Sequence, residues 1–234
     1  MANLAIIPAR GGSKRIPKKN IKYFLGKPII SYSIEAAIKS NLFDEVMVST
    51  DDEEIAKIAI AHGAKTPFLR SSKNADDFAV LADVVEEVIQ NYSEKNVFFN
   101  NICCILPTAP FVTSNTIIEA YKKLLENNFD SVFPILEYSF PIQRSLNFDG
   151  NKASMVWGEY LNSRSQDLEP RYHDSGQFYW IKTAAFFNEK KLFTNNSGAI
   201  VISELEAQDI DTETDWKLAE IKFKLMLDGQ EDTI

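Results

Sequence analysis

The chain has 234 residues, 45% of them hydrophobic and 25% charged, and carries a formal net charge of -8. That length accommodates one large α/β domain, and the composition supplies a substantial core and excludes general disorder. The acidic balance argues against a nucleic-acid partner held by its phosphates, and no run of about 18 apolar residues is present to span a membrane as a helix.

The first apolar run, Leu4 to Ile7, predicts a strand, and Met1 to Ala9 lacks the basic start and long apolar stretch of an export signal. Apolar and amphipathic runs then alternate through Ile29 to Ile38, Val46 to Ser49, Ile55 to Ala61, Val80 to Ile89, Ile102 to Leu106 and Ile117 to Leu125. Read as helices and strands, they give a βαβα repetition and hence a mostly parallel sheet with helices on both faces. Ligands bind such sheets beyond the carboxyl ends of the strands, so the loops starting near Pro8, Ser49 and Pro107 carry the functional weight. His62, on the helix ending near Gly63, reads as a helix-terminal residue without chemistry. Cys103 and Cys104 are the only cysteines, adjacent within an apolar run. They suit buried thiols in a reducing cytoplasm and do not suggest a disulfide or a metal site.

After Val132 the pattern breaks into shorter pieces containing Pro134, Pro141, Gly150, Gly158 and Pro170. This predicts an antiparallel excursion or flap, about residues 140–171, inserted into the α/β core. The aromatics Phe178, Tyr179 and Trp180 read as core before any pocket wall. From Thr212 to Leu227 helical spacing returns, with Trp216, Leu218, Ala219, Phe223 and Leu227 as an apolar side and Thr212 with Asp215 as an N-terminal cap. The organisation is one domain over 1–228, with 229–234 expected to fray.

The charge is unevenly placed. No acidic residue precedes Glu35, whereas Arg10, Lys14, Arg15, Lys18, Lys19, Lys22 and Lys27 all do, which marks a local anion site. Gly11-Gly12 lacks a third glycine at dinucleotide-fold spacing, and no GxxxxGK[ST] loop is present, so a different phosphate cradle is needed. The segment after the first strand supplies one: paired glycines let backbone N–H groups approach a phosphate, and Arg10, Lys14 and Lys19 neutralise it. Asp209 and Asp211, two apart, share a face if the chain there is extended and so can share a hard cation; the alternative is that they cap the helix from Thr212. His173, among polar and aromatic residues, fits either a ligand contact or a structural role.

The run Ile6-Ile7-Pro8-Ala9-Arg10-Gly11-Gly12-Ser13-Lys14-Arg15-Ile16-Pro17-Lys18-Lys19-Asn20 resembles the first loop of the CMP-sialic acid synthetase family of cytidylyltransferases. The likeness continues in order through Gly26-Lys27-Pro28, Val48-Ser49-Thr50-Asp51, Pro107-Thr108-Ala109-Pro110, Arg164-Ser165-Gln166-Asp167 and Gln208-Asp209-Ile210-Asp211-Thr212. Ala75-Asp76-Asp77-Phe78-Ala79, Phe140-Pro141-Ile142-Gln143-Arg144 and the stretch from Tyr172 to Trp180 look most like the pseudaminic acid cytidylyltransferases. The resemblance implies a single Rossmann-like, GT-A-like nucleotidyltransferase domain that transfers CMP from CTP to a nine-carbon nonulosonic sugar acid and releases pyrophosphate. It also implies a homodimer in which the inserted flap reaches the partner's site. N-acetylneuraminic and legionaminic acids are the alternative substrates, and a CTP-binding subunit without turnover is the alternative of another class.

Carried over by position, Ala9, Arg10, Gly11, Gly12, Ser13, Lys14, Lys19, Asn20 and Asp76 form the nucleotide site. Arg144, Arg164, Gln166, His173 and Gln177 form the sugar site. Asp209 and Asp211 hold Mg2+, and Arg10, Lys19 and Asp211 carry the catalysis. Arg164 suits a carboxylate because its planar fork matches both oxygens; the alternative is an ion pair with Asp167 or Glu169. Two positions depart from the sialic-acid members: Asp76 stands where those have a serine that helps bind cytidine, and Leu106 where they have a glutamine before the Pro-Thr pair.

Overall fold

The computed structural model describes residues 1–76 and 79–231. Its strands are β1 (Asn3–Pro8), β2 (Tyr23–Phe24), β3 (Lys27–Pro28), β4 (Glu45–Ser49), β5 (Asn101–Ile105), β6 (Ser131–Glu137), β7 (Leu146–Phe148), β8 (Ala153–Met155), β9 (Tyr172–Asp174), β10 (Phe178–Lys182) and β11 (Ser197–Val201). The helices are α1 (Ile30–Ser40), α2 (Glu53–Ala61), α3 (Leu81–Glu94), α4 (Ser114–Glu126), α5 (Thr183–Glu189) and α6 (Glu213–Glu231).

The main sheet has the order β11-β6-β10-β5-β1-β4, with β9 added along β6. β1 pairs parallel with β4 and β5, and β6 parallel with β11, while β10 runs antiparallel between β5 and β6. β1 and β5 are buried on both faces, which is why they read as continuous apolar runs. Successive residues of β1 divide between two cores: Ala5 and Ile7 pack with Ile34, Ile55 and Ile117 on one face. Leu4 and Ile6 pack with Val85, Val88 and Phe186 on the other. The helices thus cover both faces, as the alternation of runs predicts.

Trp180 and Phe178 are fully buried, and Trp180 stacks on Phe43 with ring centroids 4.9 Å apart, so this strand is core first. Cys103 and Cys104 are free and buried; burial pushes the Cys104 thiol up to about 12.

The chain after Val132 departs from expectation. Through Pro134 it remains in the sheet as β6, and the irregular part begins only past Glu137. Pro134 is held within this strand all the same, opposite Ile200 of β11, and its carbonyl accepts the Ser175 N–H at 3.1 Å. Segment 140–171 then leaves the sheet as short 3-10 turns and the β7–β8 hairpin, with Phe140, Leu146, Phe148 and Leu161 exposed. At the other end, α6 continues to Glu231, beyond the expected boundary at Asp228, and 232–234 lie outside the described residues.

A third core, separate from the two sheet faces, ties the ends of the chain together: Ile16, Phe24 and Ile29 pack with Phe111, Ile210, Trp216 and Ala219. Phe24 is its hub, meeting Tyr32, Trp216 and Phe223 edge to face at 5.5–5.7 Å. Phe24→Ala is expected to lower unfolding free energy by about 3–5 kcal/mol in urea titration, because the void lies between elements that cannot close on it.

Candidate functional site

The first loop is built by three local contacts. The Ala9 N–H donates to the Ser49 carbonyl at 2.9 Å, and the Gly11 N–H donates to Asp51 Oδ1 at 2.9 Å. The Asn20 side-chain amide donates to the Arg10 carbonyl at 2.9 Å, closing the loop from below. Gly11 has its own steric reason: a Cβ there would lie 2.8 Å from Asp52 Oδ2, and Asp52 caps α2 by accepting from Glu54 and Ile55 N–H groups. Its N–H donates to Asp51, and the close approach that glycine permits within the chain is to Asp52. Gly12 faces open space.

The basic stretch divides in two. Lys18, Lys22 and Lys27 pair with Glu54, Glu213 and Glu35 at 2.5–2.7 Å. Arg10, Lys14, Arg15 and Lys19 instead line a cleft of about 210 Å³, with Ser13, Asn20 and Thr108. The anion site expected from the charge asymmetry is therefore four cations, not seven. Ala9, Gly11 and Gly12 shape this loop without lining the cleft. Asp76 meets Arg10 through its backbone carbonyl at 2.9 Å, while its carboxylate accepts the Ala79 N–H at 2.8 Å. Asp77 and Phe78 of the same motif lie outside the described residues.

A second cleft, of about 610 Å³, is lined by His173, Asp174, Ser175, Gln208, Asp209 and Lys222, among others. Leu106 lines both clefts, so the two adjoin there. Asp209 lines the larger cleft, and Asp211, two residues on, pairs with Arg15 and Lys19 of the smaller one; both lie in the connector before α6 and not in a strand, with Ile210 between them buried. Asp211 Oδ1 lies 2.8 Å from Arg15 Nη2 and 3.5 Å from Lys19 Nζ, and Lys19 also donates to the Ile210 carbonyl at 2.7 Å. Burial and then the charge of Asp211 push the Asp209 carboxyl above its ordinary range.

The capping alternative for this pair does not hold. Asp215 accepts the Thr212 N–H at 2.7 Å and Thr212 Oγ1 accepts the Asp215 N–H at 3.3 Å, so the helix is capped without Asp209 or Asp211. Among the described residues no third His, Cys, Asp or Glu joins the pair. Two hard carboxylates at mutual unfavourable charge fit a divalent ion that keeps water and phosphate oxygens in its shell, which is the habit of magnesium.

The proposed sugar residues are not brought together. Only His173 lines the larger cleft; its ring lies 4.7 Å from that of Tyr138, and its Nδ1 is 2.9 Å from the Asp174 carbonyl. Gln177 is buried and braces the wall, donating to the Glu206 carbonyl. Arg144, Arg164 and Gln166 sit in segment 140–171, and none of them lines either cleft. Within this chain Arg164 takes the ion-pair alternative, with Nε 2.7 Å and Nη2 3.1 Å from the two oxygens of Asp167.

Three contributors were not singled out in the sequence. Arg70, buried, donates to Ser49 Oγ at 3.0 Å and to the Ser49 carbonyl, fixing the end of β4 against the loop. Lys222 lines the larger cleft from α6, and Ser175 lines it with its hydroxyl buried and unpartnered. An isolated Ser or Lys carries no sequence signal; only Arg70, a lone cation after an apolar run, could have been noticed.

A cation-lined cleft beyond the carboxyl ends of β1 and β5, facing two carboxylates, defines an α/β protein that handles a nucleoside triphosphate. The profile of the family described as Cytidylyltransferase matches residues 4–213, and the chain belongs to that family. It is 43% identical over 226 residues to the pseudaminic acid cytidylyltransferase of Campylobacter jejuni, covering 96% of this chain and 97% of that one. It is 35% identical to the CMP-N,N'-diacetyllegionaminic acid synthase of Legionella pneumophila, covering 99% of each. In fold it is similar to a CMP:2-keto-3-deoxy-manno-octonic acid synthetase complexed with CTP, with a TM-score of 0.68 at 16% identity over 97% of this chain and 100% of the other. That neighbour bears out the nucleotidyltransferase fold.

Because its folded-state pKa lies above the unfolded value, Asp209 favours the fold only while protonated, and that contribution is gone once pH rises through the folded-state pKa. Asp209→Asn is therefore expected to leave neutral-pH stability at or above wild type. Thr212→Ala should lower it by about 1 kcal/mol through loss of the cap. Urea titrations of the two variants separate site from cap.

Proposed function

We propose that this cytidylyltransferase transfers CMP from CTP to the anomeric hydroxyl of a nonulosonic acid, pseudaminic acid in the first place, and releases pyrophosphate. The observation that carries the reading is the meeting of the two clefts at Leu106, with four cations lining one, Asp209 lining the other and Asp211 paired to two of those cations. The choice of sugar is supported by the 43% identity to the Campylobacter jejuni protein, against 35% to the Legionella pneumophila synthase.

Arg10, Lys14 and Lys19 bind the triphosphate oxygens, Arg10 with a planar fork and the lysines as point charges. The backbone of their loop is fixed in advance by the contacts at Ala9, Gly11 and Arg10, and Lys19 by the Ile210 carbonyl, which limits reorganisation as charge builds on phosphorus and leaving group. Asp209 and Asp211 would hold a Mg2+ ion, which when bound supplies charge neutralisation at the triphosphate and acidifies a coordinated hydroxyl. Asp211 accepts the anomeric proton at its carboxylate as the sugar oxygen attacks the α-phosphorus. His173, Asp174 and Ser175 present polar groups to the sugar in the larger cleft. No covalent enzyme intermediate is required; alignment of the two substrates across the junction is the main device.

A homodimer is part of this reading. It is supported by the exposed apolar residues of segment 140–171 and by the position of Arg144, Arg164 and Gln166 in the same segment, away from this chain's own clefts. Two buried free thiols favour a reducing compartment such as the cytoplasm, and no helix among the described residues is long and apolar enough to cross a membrane.

Pyrophosphate release with CTP and Mg2+ should occur with pseudaminic acid in preference to legionaminic and N-acetylneuraminic acids. Asp211→Ala should reduce kcat by roughly 100-fold or more. Arg164→Ala should raise KM for the sugar acid and leave KM for CTP unchanged. Preference for another acid would reassign the substrate, and no release with any acid would favour a CTP-binding subunit.

A further inference from the structure

Two cations hold the same oxygen of Asp211, and they differ in freedom. Lys19 is 21% exposed and is anchored a second time by the Ile210 carbonyl at 2.7 Å. Arg15 is 68% exposed, reaches Asp211 Oδ1 at 2.8 Å, and lines the cationic cleft from the same loop as Arg10 and Lys14. Lys19 is thus a fixed partner of the connector, and Arg15 is a long side chain held at one end only. A divalent ion held by Asp209 and Asp211 draws on the carboxylate charge that Arg15 now compensates, and an arginine displaced from it remains in the cationic cleft that its own loop lines.

We infer that Arg15 is a placeholder cation that competes with the divalent ion for Asp211 and, once displaced, turns its guanidinium to the triphosphate. This rests on the assignment of Asp209 and Asp211 as the metal site. Two charges exchange partners: Asp211 trades a guanidinium for the ion, and the guanidinium trades a carboxylate for phosphate oxygens, to which its fork is equally matched. Metal binding and nucleotide binding become coupled through one side chain, and such coupling is reciprocal. Arg15 carries no bond to move; its role is to keep the carboxylate compensated before the substrates arrive and to neutralise the leaving group afterwards.

The test uses Mn2+ as the probe, followed by electron paramagnetic resonance of the free ion in the absence of nucleotide, and CTP binding by calorimetry at saturating Mn2+. In Arg15→Gln, Mn2+ should bind about two- to fivefold tighter, the range that removal of an exposed ion pair releases. CTP should bind about tenfold weaker, for the loss of a charge-assisted hydrogen bond. Lys18→Gln removes the same charge from the same loop but breaks only the pair with Glu54 at 2.5 Å, and should shift neither affinity. The opposite signs in one variant are what a merely structural role would not produce. Equal Mn2+ affinity in wild type and Arg15→Gln, including no measurable binding in either, overturns the inference, as does an equal effect of Lys18→Gln. Mn2+ binding undiminished in Asp211→Ala would instead overturn the metal-site assignment beneath it.

Discussion

Lys19 reaches across 191 positions of sequence to the carbonyl of Ile210, and the neighbouring carboxylate of Asp211 lies 3.5 Å from the same ammonium. That contact sets the distance between the basic first loop and the acidic connector, and every statement about chemistry at the site depends on it. It holds because the apolar residues around it are locked together: Ile16 from the loop, Phe24 from the turn after it, and Ile210 and Trp216 from the far end share one core. A charge pair at the surface would contribute little by itself. Here the hydrophobic cluster fixes the geometry, and the charges give it specificity.

The parallel strands decide where this clamp sits. β1 and β5 end side by side, so the loops after Pro8 and Ile105 emerge at one edge of the sheet, and Leu106 separates a cation-lined cleft from a larger polar one. Antiparallel β10 wedges between β5 and β6, and the second cleft receives Asp174 from the end of β9 and Ser175 from the turn that joins β9 to β10. Arg70 closes the arrangement from behind by holding Ser49, whose carbonyl also takes the Ala9 N–H. Burial lowers its pKa, but nearby Asp51 and Glu87 favour its charge, as expected for a guanidinium kept inside a fold by acceptors on several sides.

Much of this was legible in the residues. The alternation of apolar runs predicts β1, α1, β4, α2, α3, β5 and α4 within a few residues, because the helices bury a periodic face and the central strands are short apolar runs buried on both. The cap at Thr212 and Asp215, the helix end at His62 and the core role of Trp180 also follow from local chemistry. The breakdown after Val132 misleads, since Pro134 reads as a breaker, yet its strand continues through it to Glu137. The two-glycine loop reads as a phosphate cradle, whereas Gly11 answers first to the side chain of Asp52, a contact that no local pattern encodes.

By itself the sequence determined the sheet type, the position of the functional loops, the presence of a cation-rich segment and the spacing of Asp209 and Asp211, all of which depend on neighbours a few residues apart. The tertiary structure alone decided which cations face the cleft and which are spent on Glu54, Glu213 and Glu35, and that Arg15 and Lys19 share one oxygen of Asp211. It also decided that Ser175 and Lys222 share a wall with Asp209. Such pairings join residues distant in the chain, and their partners are chosen by how the three cores pack, which no periodicity along the sequence records.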